Sequence, residues 1–178
     1  MRMRVKMSHP LLASVVVMAA AACASGHATT TASTTAPRPI AAPATTTTLD
    51  PVRDAAAAYL AIADSLNQRA RQIRATYSGP TGVLDAQAAP MCTESAALER
   101  EWANRLSQRT WPDQAGGAVA TLRAANLALA HAYDACATAP NPTSAGVALQ
   151  AASGAPATAV LDAGQHVRAV LGLPPATS

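Results

Sequence analysis

Aromatic residues are scarce in this chain. Phe, Trp and Tyr together make up 3% of its 178 residues, and Phe is absent altogether. Half of the sequence is nevertheless apolar, so small side chains, alanine above all, supply much of that fraction. Alanine is the strongest helix former and lets helices pack at the short end of the usual separation of roughly 8–10 Å. The composition therefore favours an all-α fold with a thin core, and the alternating pattern of a half-buried strand is nearly absent.

The chain also lacks net charge once its first ten residues are set aside. Three of its 13 basic residues, Arg2, Arg4 and Lys6, come before an apolar segment, and the remaining ten match the ten acidic residues in number. A nucleic-acid binding protein needs a basic surface to meet the phosphates. Because the remaining arginines are dispersed and balanced, we expect no nucleic acid among the partners.

No hydrophobic run is long enough to span a bilayer. The apolar segment at 11–22 has 12 residues, whereas a transmembrane helix needs about 20. With positive charges before it and small residues at its end, it has the form of a secretory signal. The segment ends in Ala20-Ala21-Ala22-Cys23. An ordinary signal peptidase site of the Ala-x-Ala type is one interpretation of that end, and it would release a secreted protein.

The same four residues, Ala20-Ala21-Ala22-Cys23, resemble the lipobox of bacterial lipoproteins. In that family the Cys receives diacylglycerol and becomes the first residue of the mature chain. Ala20 stands where the family usually has Leu. The resemblance implies a signal peptide at 1–22, lipidation of Cys23, and anchoring by acyl chains at the outer face of the cytoplasmic membrane.

Large apolar side chains are almost missing from residues 24–49, which consist mainly of Thr, Ala and Pro. Such a segment has too little to bury to offset the entropy cost of ordering. We therefore expect residues 23–49, including the lipidated Cys, to form a disordered tether, with an r.m.s. span on the order of 30 Å. Threonine with nearby proline is also typical of O-glycosylated stalks.

Residues 50–173 are predicted to form one helical domain. Asp50-Pro51 is typical of a helix start, with an N-cap carboxylate before a proline at the first helical position. Apolar residues then recur at steps of three and four as far as Tyr77. Ser78-Gly79-Pro80 is typical of a helix end.

Three further helical segments are predicted after the first, at about 90–109, 112–138 and 142–171. Gly154 and Pro156 are expected to bend or split the last one. The short turn at Trp111-Pro112 makes the second and third helices antiparallel neighbours. The pattern predicts an up-down-up-down four-helix bundle, followed by a disordered tail at 174–178.

Two cysteines remain once Cys23 is assigned to lipidation. Cys92 is predicted in the first turn of the second helix and Cys136 in the last turn of the third, so both lie at the same end of an antiparallel hairpin. An exported domain permits a disulfide between them. The bridge would close a loop of about 45 residues and stabilise the domain by roughly 4 kcal/mol.

Motifs for catalysis, metal binding and phosphate binding are all missing from the sequence. His131 and Asp134, three residues apart, could supply half of a metal site but are more typical of a solvated helix surface. Glu94, Glu99 and Glu101 are interpreted as a charged helix face rather than as paired catalytic carboxylates. We therefore predict a non-enzymatic protein with no metal and no cofactor.

Two features of the predicted bundle interior bear on binding. Asn126 is the one polar residue in the apolar stripe of the third helix, where a buried Asn often fixes the register between helices. Loosely packed alanine helices could also leave a ligand cavity, which we expect to be lined by the four residues Leu98, Trp102, Leu129 and Tyr133.

The complete layout resembles small cell-envelope lipoproteins of high-GC actinobacteria. The residues that carry the likeness are the Ala20–Cys23 lipobox, the Thr- and Pro-rich tether, a mature chain without lysine, and helices rich in Ala and Arg. The resemblance implies location and anchoring but no activity. We expect a lipid-anchored domain that binds an envelope partner or has a structural role; the alternative is a carrier of an apolar small molecule or lipid between its helices.

Overall fold

A computed structural model of the chain describes residues 50–80 and 82–176. The predicted signal peptide, the lipidation site Cys23 and the tether lie outside the described residues.

The described residues form helices and one very short hairpin. In chain order they are α1 (Pro51–Tyr77), β1 (Ser78–Gly79), β2 (Gly82–Val83), α2 (Asp85–Ser107), α3 (Asp113–Ala137), α4 (Pro142–Ala152) and α5 (Ala155–Val170). The two strands are antiparallel, with Ser78 opposite Val83. The all-helical prediction is confirmed, and the predicted last helix is divided at Ser153 and Gly154 into α4 and α5.

The start of α1 follows from its first residues. The Asp50 carboxylate accepts a hydrogen bond of 3.0 Å from the backbone N–H of Val52, as an N-cap should. Pro51 occupies the first helical position, where its missing N–H costs nothing. The apolar stripe then faces inward, with Tyr59 and Leu66 almost fully buried.

The start of α2 corrects the sequence prediction. The helix begins at Asp85, not at Pro90 or Met91, and Pro90 lies inside it. A proline near a helix start costs one hydrogen bond to the carbonyl four residues earlier, which burial of the first turns can offset. Ala88 is 1% exposed and packs beside Cys92. Cys92 is therefore well inside α2 and not in its first turn.

The helices pack as a bundle around α3. An antiparallel hairpin of α2 and α3 forms the centre, with α1 beside α2 and α5 beside α3. The shorter α4 packs on α2 and α3 at the end away from the Trp111-Pro112 turn. The break at Ser153 and Gly154 lets the chain move from that end to the side of α3 that faces α1, where Val167 and Ala163 join Tyr59 in the core.

A disulfide joins Cys92 in α2 to Cys136 in α3, as predicted. Their Cα atoms are 5.9 Å apart, and both residues are fully buried. Ala88 and Ala145 pack against the bridge. The bond therefore ties together the end of the hairpin that α4 covers.

Candidate functional site

A cleft lies between α1 and α5, with α2 and α3 forming its floor. Several of the residues that these two outer helices contribute to its lining are small, namely Ala63, Ala70, Ala157 and Gly164. Such short side chains leave space unfilled when the helix axes are held apart by larger residues elsewhere. Small residues therefore contribute to the open space between these two helices.

Two adjoining cavities make up this cleft. The Glu99 cavity, of about 220 Å³, lies toward the end of α1 and the start of α5. The Asn126 cavity, of about 140 Å³, lies toward the start of α1. Both are lined by Asn67, Trp102 and Val160, together with Leu161, whose exposed fraction is 55%. The two cavities thus form one continuous cleft with an exposed apolar side chain at its opening.

All four residues that the sequence predicts around a cavity line the Glu99 cavity. Leu98 and Leu129 are 3% and 4% exposed and form its apolar floor. Trp102 and Tyr133 are partly buried and contribute their rings from α2 and α3. The structure therefore brings these residues together around a space of molecular size.

Glu99 also lines this cavity, and here the sequence interpretation was wrong. The sequence pattern puts Glu99 with Glu94 and Glu101 on a charged helix face, but its Oε2 atom is buried and has no hydrogen-bond partner among the described residues. Burial raises the pKa of the Glu99 carboxyl to about 7. Its spacing offered a signal, because Glu99 follows Ser95 by four residues and precedes Trp102 by three, which places it on the inward face of α2.

Two further titratable groups, Arg74 from α1 and Tyr133 from α3, border the Glu99 cavity, and both are partly buried. Burial and the nearby Glu99 carboxylate raise the pKa of Tyr133 to about 12, while the Arg74 charge opposes this shift. Titratable groups from three helices therefore border one largely apolar space.

Asn126 supplies the polar group of the second cavity. Its side chain is 1% exposed, and its Nδ2 donates a hydrogen bond of 2.8 Å to the Leu122 carbonyl in its own helix. Its Oδ1 has no partner among the described residues. The predicted role in helix register requires a bond to another helix, whereas the bond that Asn126 makes stays within α3.

The end of the chain covers part of the Asn126 cavity. Ala176 lines this cavity, and its N–H donates to Gln165 Oε1 at 3.2 Å. The Pro174 carbonyl accepts a hydrogen bond of 2.7 Å from Arg168 Nε. Residues 174–176, which the sequence assigns to a disordered tail, therefore run back along α5.

The predicted half of a metal site lies elsewhere on the surface. His131 Nδ1 is 3.8 Å from Asp134 Oδ2, and the His131 side chain is 80% exposed. Asp134 also forms an ion pair with Arg100. Across residues 50–80 and 82–176, three or more metal-ligating side chains do not gather anywhere.

Within the same ranges, every helix is too short or too polar to cross a membrane. The chain matches no protein-family model, no curated protein and no solved structure. The chemistry of the cleft itself is thus the available guide to function: it offers an apolar interior with hydrogen-bond acceptors set into its walls.

Proposed function

We propose that this protein is a lipid-anchored, non-enzymatic binding protein of the cell envelope, and that it carries a small amphipathic molecule in the cleft between α1 and α5. The observation behind the proposal is the Glu99 cavity, a largely apolar space that contains a buried carboxyl oxygen with no partner in residues 50–80 and 82–176. Ligand sites are commonly apolar cavities with a few polar groups that orient the ligand. The Glu99 cavity has this composition.

The volume of the cleft limits the size of the ligand. The two cavities measure about 220 and 140 Å³, while typical ligand pockets span roughly 300–1,000 Å³. A compact molecule or one short alkyl chain fits this space, whereas a complete membrane lipid with two acyl chains is too large for it.

Binding is favoured over catalysis by the residues that line the cleft. Neither His nor Cys is among the described residues of either cavity. Nucleophilic and general acid-base catalysis require an activated nucleophile or a base placed beside a second reacting group. Glu99 alone can orient a ligand or exchange a proton with it.

A pair of alanine substitutions in α5 tests the proposal. Ala157 lines the Glu99 cavity, and Ala159 is an exposed neighbour that does not line it. Ala157→Leu should fill the cavity, and Ala159→Leu should leave it open. The measurement is native mass spectrometry of the full chain after purification from membranes of its own bacterium.

We expect a bound small molecule in the wild type and in Ala159→Leu, and loss of that molecule in Ala157→Leu. Repeated absence of any bound molecule from the wild type would contradict the proposal. Equal occupancy in both variants would contradict the assignment to this cleft.

Anchoring through Cys23 completes the proposal and has a separate test. Cys23→Ala should leave the helical bundle folded, as judged by circular dichroism, but move the protein from the membrane fraction to the soluble fraction. If the variant stays with the membranes, Cys23 is not the anchor.

A further inference from the structure

We propose that the ligand carries a protonated amine and that Glu99 binds it, so that the cleft selects amphipathic amines over alcohols and acids of the same chain length. This inference rests on the proposed function, because it names the class of molecule that the cleft would take. Two polar atoms in the cleft are buried and have no hydrogen-bond partner in the part of the chain that the structure describes.

Both buried orphan atoms in the cleft are hydrogen-bond acceptors. They are Glu99 Oε2 in the larger cavity and Asn126 Oδ1 in the smaller one. A buried acceptor without a donor is costly, and the cost is greatest for a charged oxygen. A ligand that brings donors removes this cost, so the walls of the cleft favour a donor-bearing molecule.

The choice of an amine over a neutral donor follows from the charge on Glu99. A hydroxyl group can donate a hydrogen bond to the carboxylate, but an ammonium group adds the attraction between two opposite charges, which a hydroxyl group lacks. The apolar surroundings, which include Leu98, Leu129 and Trp102, strengthen the attraction further by excluding water. An ammonium group should therefore bind more tightly at this position than a hydroxyl group does.

Arg74 favours the opposite ligand charge but is less well placed. Arg74 is partly exposed, so water screens its charge. Glu99 Oε2, in contrast, is buried. We therefore assign recognition to Glu99 and expect Arg74 to remain hydrated at the opening.

The assignment fixes how binding should vary with pH. The titratable groups that face Glu99 across the cavity are Arg74 on α1 and Tyr133 on α3, while α5 contributes only Ala157, Val160 and Leu161. Tyr133 stays neutral throughout the range considered, because its pKa is raised to about 12. Because the Glu99 carboxyl has a pKa of about 7 and an alkylamine stays protonated up to about pH 10, amine binding should strengthen as pH rises through neutrality.

The test compares three ligands with the same alkyl chain: octylamine, octanol and octanoate. Isothermal titration calorimetry measures their binding to the full chain at pH 6 and at pH 8, in the wild type and in two variants. Glu99→Gln removes the charge but keeps the shape of the side chain. Glu94→Gln is the matched control, since Glu94 is exposed on the same helix and does not line the cleft.

We expect the wild type and Glu94→Gln to bind octylamine about tenfold or more tightly than octanol at pH 8. This preference should shrink at pH 6 and disappear in Glu99→Gln. Equal binding of octylamine and octanol, or tightest binding of octanoate, overturns the amine assignment while leaving a cleft that binds ligands. Failure of all three compounds to bind overturns the proposed function as well.

Discussion

The disulfide end of this bundle and the cleft along its side contain the same kinds of small residue but pack differently. At the disulfide end, Ala88 and Ala145 close around Cys92 and Cys136, and each of these four residues is at most 1% exposed. On the side where α1 faces α5, small residues line open cavities instead. Alanine therefore does not by itself determine whether a helix pair packs tightly or leaves a cleft.

The difference comes from what holds the helices in place. At the disulfide end a covalent bond fixes α2 against α3, and the lack of a side chain at Gly146 lets α4 approach Asp85 closely. Across the cleft, Trp102 and Tyr59 line the open space beside small residues such as Ala63 and Gly164. Close packing therefore depends on how well neighbouring side chains fit together, and not on their size alone.

The largest effect should come from breaking the tight end. Replacing both cysteines, as Cys92→Ser with Cys136→Ser, should lower the free energy of unfolding by about 4 kcal/mol, because the bridge closes a long loop. Urea denaturation of the variant and the wild type measures this change. A loss below about 1 kcal/mol would mean that packing of α4, and not the bridge, holds this end together.

Glu99 should have the next largest effect, and that effect depends on pH. Its folded-state pKa of about 7 is raised from an ordinary 4.5, so the folded protein holds this proton more tightly than the unfolded chain does. The resulting stability is fully present below about pH 4.5 and is lost as pH rises through 7. Glu99→Gln should remove this dependence and make the protein more stable than the wild type at pH 8 by about 2 kcal/mol, after a discount for partial exposure.

Urea denaturation at pH 5 and pH 8 checks this expectation, with Glu94→Gln as the control that should follow the wild type. An advantage of Glu99→Gln that is the same at both pH values would contradict a buried, titrating carboxyl.

A pair of glycine substitutions should have the smallest effect on the free energy of unfolding, and it compares the cleft directly with the disulfide end. At Gly164 an added Cβ would meet Tyr59 Oη at 3.7 Å, an ordinary contact, so Gly164→Ala should stabilise the protein by about 0.5–1 kcal/mol through helix propensity. At Gly146 the Cβ would lie 2.5 Å from Asp85 Oδ1 and displace that side chain. Gly146→Ala should therefore stabilise the protein less than Gly164→Ala does. A larger increase in the free energy of unfolding for Gly146→Ala would contradict the tighter packing at the disulfide end.

Much of the fold could be predicted because the helix start and turn signals agree with the spacing of the apolar residues along the chain. Asp50-Pro51 and Asn141-Pro142 start helices where expected, and the Trp111-Pro112 turn places the two cysteines at one end. The start of α2 could not be predicted, because a run of alanines before Pro90 is equally compatible with a loop and with a buried helix.

The candidate site was predictable in part. The large residues that line it lie on the inward stripes of α2 and α3, so Leu98, Trp102, Leu129 and Tyr133 could be named. Glu99 was missed although its spacing places it on the inward face of α2, because a glutamate among other charged residues is usually exposed. The cleft itself could not be predicted, because the separation of α1 and α5 depends on tertiary packing and not on a local sequence pattern.

The most direct test of a cleft that binds ligands uses the two tryptophans as reporters. Trp102 lines both cavities, whereas Trp111 lies at the α2–α3 turn and lines neither. In NMR spectra of the full chain at pH 8, added octylamine should shift the indole N–H signal of Trp102 and leave that of Trp111 in place. In Ala157→Leu neither signal should move. Shifts of both signals, or of neither, in the wild type would contradict a binding site between α1 and α5.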